Sequence, residues 1–135
     1  MTLTRTYHFS AGHRLTSPTL SEEENWAAYG PCVRDHGHNY FLEVTVGGRV
    51  DSGTGMAYDL DHLDAAVRRT VLELVDHHNL NGDVAALEGV ITTGENLART
   101  FWEWLAGALP PGTLRRVAVV ETANNVFEYS GESEG

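Results

Sequence analysis

Cys32-Val33-Arg34-Asp35-His36-Gly37-His38-Asn39-Tyr40-Phe41-Leu42-Glu43-Val44-Thr45-Val46 carries a fold signal and a chemical signal in one run. Residues 39–46 alternate, with Tyr40, Leu42, Val44 and Val46 on one side, which is the period of a half-buried strand. A strand sends residues two apart to the same face, so His36 and His38 form a two-pronged clamp at its entrance. Zinc in catalytic sites takes three protein ligands and keeps a fourth position for water or substrate. His13, near the end of another predicted strand, is the natural third ligand. Cys32 has three readings at this point. It is a small buried residue, a reactive thiolate beside the metal, or a fourth ligand that closes a structural site.

The rest of the chain bounds the answer. A length of 135 residues suits one domain, expected to span 1–135, with enough chain to bury a core. One cysteine precludes an internal disulfide and suits a reducing cytoplasm. No leader and no apolar run near the bilayer-spanning length are present, so no membrane association is expected. The formal net charge is −10, and all nine bases are arginine. That balance disfavours nucleic acid, whose affinity comes from neutralised phosphates. A phosphorylated ligand would need particular arginines to overcome the field locally, and Arg14 and Arg34, beside the histidines, are the candidates.

Residues 3–9 alternate as a first strand, and 39–50 form a second, with Gly47-Gly48 read as a bulge. Residues 17–30, with Pro18 and three successive glutamates, read as a long loop. Asp59 caps a helix whose apolar face is Leu60, Leu63, Val67, Val71 and Leu74. Thr92 and Glu95 form a capping-box pair for a second helix, with Leu97, Phe101, Trp104, Leu105 and Ala108 inward, stopped by Pro110-Pro111-Gly112. Residues 114–121 and 126–129 form a hairpin across Ala123-Asn124-Asn125. The order ββααββ predicts an α+β domain: a four-stranded antiparallel sheet with two helices on one face. Its open edges invite oligomerisation into a barrel.

Two smaller features complete the set. Asp76-His77-His78 ends the first helix, where Asp76 can orient an imidazole. Glu121 alternates inward with Val117 and Val119, which is costly for a carboxylate unless a ligand with adjacent N–H donors pairs with it.

Blocks in order over nearly the whole chain closely resemble the 6-pyruvoyltetrahydropterin synthase and 6-carboxytetrahydropterin synthase family. They are Phe9-Ser10-Ala11-Gly12-His13-Arg14-Leu15, Tyr29-Gly30-Pro31-Cys32, His36-Gly37-His38-Asn39-Tyr40, and Thr54-Gly55-Met56 with Asp59-Leu60. Asp76-His77-His78-Asn79-Leu80-Asn81, Thr92-Thr93-Gly94-Glu95-Asn96-Leu97-Ala98, and Glu121-Thr122 with Asn125 follow. The resemblance implies the tunnelling fold, assembled as a homohexamer (a dimer of trimers) with active sites at subunit junctions. It implies that His13, His36 and His38 hold Zn2+, that Cys32 is the catalytic thiol, and that Asp76 and His77 form its acid–base relay. Glu121 would anchor the pterin ring, with Glu95 and Thr93 in support.

By the same resemblance the substrate is 7,8-dihydroneopterin triphosphate and the enzyme a zinc-dependent lyase. The three-residue gap between Cys32 and His36 is similar to the carboxy branch. That branch makes 6-carboxy-5,6,7,8-tetrahydropterin with release of triphosphate and acetaldehyde, in the queuosine pathway. Tyr29-Gly30-Pro31-Cys32 and Thr54-Gly55-Met56 are similar to the pyruvoyl branch, which eliminates triphosphate in tetrahydrobiopterin-type biosynthesis. The expectation is the carboxy product, with the pyruvoyl product as the alternative. More distant alternatives are a three-histidine zinc hydrolase with Cys32 a bystander, and a non-catalytic pterin-binding protein using Glu121 alone.

Overall fold

Two twelve-residue strands, β1 (Thr2–His13) and β2 (His36–Gly47), set the frame of the computed structural model, which describes residues 1–131. They pair antiparallel along their whole length, from Thr2 opposite Gly47 to His13 opposite His36. After β2 come α2 (Leu60–Val67), a π turn (Arg68–Leu72), α3 (Glu73–Val75), β3 (His78–Asn79), α4 (Gly94–Ala106), β4 (Leu114–Glu121) and β5 (Asn125–Tyr129). A further helix, α1 (Glu22–Tyr29), runs into a 3-10 turn (Gly30–Val33) between β1 and β2.

The sheet order is β3-β1-β2-β4-β5, with β3 parallel to β1 and the remaining pairs antiparallel. The expected four-stranded antiparallel sheet is thus corrected to a five-stranded mixed one. β3 has two residues, too few to show a period. Its pairing is framed by the His77 N–H donating to the Ser10 carbonyl (2.6 Å) and the Leu80 N–H to that of Gly12 (2.8 Å). β1 also outruns the expected 3–9, because Ser10, Ala11 and Gly12 lack apolar alternation and are held by the ladder to β2. The irregularity expected at Gly47-Gly48 lies across the sheet, where Arg115 is the extra residue between the Thr45–Arg116 and Val46–Leu114 pairs. Gly48 has a different reason: a Cβ there would sit 2.2 Å from the Ala57 carbonyl oxygen.

The expected loop at 17–30 contains α1. Ser21 and Glu24 form a reciprocal capping box, with the Glu24 N–H donating to the Ser21 hydroxyl at 3.1 Å and the Ser21 N–H to Glu24 at 3.0 Å. Asn25 is its only buried residue, so no apolar stripe betrays the helix. For α4 the cap is Thr93, whose hydroxyl accepts from the Asn96 N–H, and not Thr92. Asp59 caps α2 as expected, accepting from the N–H groups of Asp61 and His62.

Both long helical segments cover one face of the sheet. Leu63, Ala66 and Val67 of α2 and Leu97, Phe101 and Leu105 of α4 meet Phe9, Tyr40, Leu42, Val44, Val117 and Val119 in one core. Fully burying each of the leucine, valine and phenylalanine side chains is worth about 1.5–3 kcal/mol. Phe9 stacks on Tyr40 at 4.7 Å and meets Phe101 edge-on at 5.9 Å. Leu74, expected inward, is 41% exposed, whereas Val71 and Val75 are buried. The π turn explains this, because its wider winding carries residues four apart onto the same face. The other face of the sheet is uncovered, with Phe41 38% and Val126 57% exposed.

Asp64 clamps α2 to β1. It accepts from the Tyr7 hydroxyl at 2.6 Å and from two Arg5 nitrogens at 2.8 and 3.2 Å. The Tyr7 hydrogen bond first, with Arg5 and Arg68 adding to it, holds its carboxyl below the usual carboxylate range against the opposing effect of burial. The stability it contributes is therefore complete above the unfolded carboxylate range and is lost as pH falls through the lowered value. Asp64→Asn is expected to flatten this acid limb in urea unfolding at stepped pH. Phe101→Ala is expected to cost about 3–5 kcal/mol in the same measurement at neutral pH. A loss no larger than that of a surface change would contradict its place in the core.

Candidate metal centre and active site

The register of β1 on β2 assembles the centre. His13 lies opposite His36 and Ala11 opposite His38, so alternation puts all three imidazoles on the helix-covered face. Their ring centroids are 4.5, 5.1 and 4.9 Å apart, and one nitrogen of each lies within 4.8 Å of the others. This is the arrangement expected from the spacing.

Each ring is held from behind by its Nδ1. That of His13 donates to the Thr92 carbonyl at 3.0 Å, with the Thr92 hydroxyl at 3.2 Å. That of His36 donates to the Arg34 carbonyl at 2.8 Å, and that of His38 meets the Thr122 hydroxyl at 2.6 Å. With the rear nitrogens so engaged, the three Nε2 atoms are left for a metal, the usual outer-shell pattern around histidine ligands. His13 is only 1% exposed. Burial first, then the neighbouring His36 and His38, pushes its pKa down to about 4. His38 is likewise lowered, chiefly by burial and further by His36, with Glu121 opposing. Neutral imidazole is the ligating form. Three imidazoles whose nitrogens lie this close together in a half-buried cluster fit a zinc-type ion.

Glu121 borders this cluster. It pairs across strands with Tyr40, and its carboxylate lies 3.7 Å from His38 Nε2. Tyr40 is wholly buried, and its hydroxyl lies 3.4 Å from His13 Nε2. Tyr40, Thr92 and Thr122 were not among the site residues expected from the sequence. Tyr40 was findable, being two residues beyond His38 on the same strand face. Thr122 was not, because its place depends on a left-handed backbone (φ 49°), shared with Ala123 (φ 60°), in the β4–β5 turn. That conformation costs an L-residue roughly 1–2 kcal/mol.

Asp76 and His77 stand where α3 ends. The Asp76 carboxylate accepts from the Ser10 N–H at 3.0 Å and from His77 Nδ1 at 2.9 Å. Those donors, Ser10 first, keep its carboxyl below the usual range. His77 adopts φ 61° and its side chain is 82% exposed. His78 instead points its Nδ1 at the Asp76 carbonyl, 2.8 Å away. The carboxylate therefore serves His77. That ring lines an open cleft of about 500 Å³ with Ser10, Gly37, His38, Asn39 and Thr122.

Cys32 is exposed on the 3-10 turn, and its carbonyl accepts from the Leu15 N–H. It belongs neither to the histidine cluster nor to the lining of the His77 cleft. Among the described residues the thiol is therefore not part of the histidine group that could hold a metal. Thr93 is engaged as the α4 cap, while Glu95 is exposed in the first turn beside it. Gly94, between them, allows α4 to approach β5, since a Cβ would lie 2.0 Å from the Phe127 ring. Arg14 and Arg34 share a separate cleft of about 960 Å³ with Trp26, and the Arg34 guanidinium lies 5.4 Å over the Trp26 ring.

Residues 2–132 match the family described as 6-pyruvoyl tetrahydropterin synthase. The chain belongs to that family. It is 43% identical over 130 residues to the 6-pyruvoyl tetrahydrobiopterin synthase of Dictyostelium discoideum, covering 96% of each chain. The solved 6-pyruvoyl tetrahydropterin synthase of Caenorhabditis elegans superimposes with a TM-score of 0.92 at 39% identity, over 98% of this chain and 96% of that one. The 6-carboxy-5,6,7,8-tetrahydropterin synthase of Aquifex aeolicus is 30% identical, over 96% of this chain and 98% of that one. Within the family these identities favour the pyruvoyl branch, the stated alternative, over the expected carboxy product. The short gap between Cys32 and His36 was a loop-length signal, and surface loops vary in length more freely than the strands they join.

If the three histidines form one centre, chelator-stripped protein should bind one zinc ion per chain in calorimetric titration. His13→Ala should abolish tight binding. Retention of wild-type affinity would place the metal elsewhere.

Proposed function

We propose that this chain is a metal-dependent 6-pyruvoyltetrahydropterin synthase, converting 7,8-dihydroneopterin triphosphate by elimination of triphosphate. The observation that carries this reading is three imidazoles, with one nitrogen of each within 4.8 Å of the others, beside an inward carboxylate, Glu121, on a chain of this family. The carboxylate pairs with adjacent N–H donors on the pterin ring, which relieves the cost of its half-buried position. Bound zinc would supply Lewis acidity and a template for the substrate's side-chain hydroxyls.

The chain's own groups then move protons. Cys32, as thiolate, takes a proton from the substrate side chain. His77, with Nδ1 committed to Asp76, uses its free Nε2 as acid and base at the neighbouring carbon. Hydrogen shifts within the molecule reduce the ring as triphosphate leaves, so no nicotinamide is required. Arg14 and Arg34 are the cations proposed for the triphosphate, and Thr93 and Glu95 support the pterin.

Cys32, exposed and outside the lining of the His77 cleft, supports a site completed at a subunit junction. The uncovered sheet face, with Phe41 and Val126 exposed, supports the same homo-oligomer, proposed as a dimer of trimers that closes the sheets into barrels. No helix among the described residues is long and apolar enough to cross a membrane, and a cytoplasmic setting is proposed.

Zinc-loaded protein incubated with dihydroneopterin triphosphate should release triphosphate and yield 6-pyruvoyltetrahydropterin by mass, without acetaldehyde. Acetaldehyde with the carboxy product would overturn the branch assignment. Cys32→Ala should lower kcat by roughly 10²–10⁴-fold. Near-normal turnover in that variant would point to metal-centred hydrolysis instead.

A further inference from the structure

His38 differs from the other two histidines of the centre in what stands behind it. His13 and His36 face backbone carbonyls, which only accept, and the Thr92 hydroxyl also behind His13 gives its own proton to the Arg14 carbonyl at 3.3 Å, so each Nδ1 must carry the proton and each Nε2 is held as a ligand. His38 faces the Thr122 hydroxyl at 2.6 Å, which can accept or donate. On its other side His38 Nε2 stands 3.7 Å from the Glu121 carboxylate, which favours a proton on that nitrogen. Of the three rings, His38 alone is therefore free to exchange tautomers.

We propose that Thr122 is the positioning residue that makes His38 a metal ligand, serving its Nδ1 in either tautomer. With Nε2 turned to Glu121 and protonated, the hydroxyl donates to Nδ1. With Nε2 given to a metal, Nδ1 carries the proton and donates to Thr122. The ring keeps its rear hydrogen bond throughout, and only the hydroxyl rotates.

The backbone agrees with this role. Thr122 is β-branched, yet it sits at φ 49°, a region that such residues rarely occupy. Strain of this kind persists only where the surroundings over-determine it, and it gathers at functional sites. Here the Thr122 N–H donates to the Asn39 carbonyl at 3.1 Å, and the Asn124 N–H to that of Glu121 at 3.1 Å. Those bonds tie the turn to the residue next to His38 and to the carboxylate beside the cluster. Thr122 also lines the cleft of His77, so one residue adjoins the metal centre, the pterin anchor and the relay.

The inference rests on the metal-centre reading but not on the identity of the substrate. Zinc titration of stripped protein tests it, with ring-nitrogen NMR of His38 as the second readout. Thr122→Val keeps the shape and the strain and removes only the hydroxyl. It should weaken zinc binding about 10–100-fold and shift the His38 ring-nitrogen signals towards the Nε2-protonated form. Thr122→Ser should restore both. Thr122→Gly should raise the melting temperature of the metal-free protein while binding zinc as weakly as the valine variant. A valine variant with wild-type zinc affinity, or a serine variant no better than valine, overturns the proposal. Failure of the wild-type protein to bind zinc would instead overturn the metal centre itself.

Discussion

The antiparallel register that sets His13 opposite His36 is the constraint on which the rest of this molecule depends. A strand's faces alternate every residue, so a slip of one position would turn His36 and His38 towards the uncovered face. The same slip would expose Tyr40, Leu42, Val44 and Val46, which the core buries. The core and the metal centre are thus specified by one alignment. The burial of those four side chains, at about 1.5–3 kcal/mol each, far exceeds any preference of three histidines for one another. Packing enforces the register, and the histidines inherit it.

The order of the parts along the chain follows from that alignment. β1 ends in His13 and β2 begins in His36, so the centre lies at one end of the sheet, where the chain leaves and re-enters through α1 and the 3-10 turn. Three further segments reach the same end. Thr92 precedes the α4 cap, Asp76 and His77 follow α3, and Glu121 and Thr122 close β4. Each arrives at an element boundary, where side chains are released from the demands of a core. Two of these residues, His77 and Thr122, have left-handed backbones, with strain concentrated where groups must be aimed.

What could be read from residues alone divides along the same line. The long strands, the caps at Asp59 and the helix face of Leu97, Phe101 and Leu105 were legible because periodicity extends over many residues. The clustering of the three histidines and the inward Glu121 were legible because they lie on those strands. β3 was not, since two residues pair only through contacts with β1 from far along the chain. α1 was hidden by its lack of an apolar face, although its capping box, Ser21 with Glu24, was written in the sequence. The shift of the α4 cap from Thr92 to Thr93 had consequences beyond a boundary. Thr92 was read as the cap, but its carbonyl and hydroxyl are spent on His13.

The distribution of the groups proposed as catalytic also bears on assembly. Cys32 lies on an exposed turn, and His77 on an open cleft is itself largely exposed, an unusual state for groups that must exclude water while they transfer protons. A thiol and an imidazole left this open gain a dry environment only when something covers them. The sheet has the matching need, because its second face carries Phe41 and Val126 in the open. Assembly of further copies into the proposed barrels would meet both needs. On this reading oligomerisation is the step that completes the catalytic environment, and an isolated chain could hold the metal yet lack the enclosed relay.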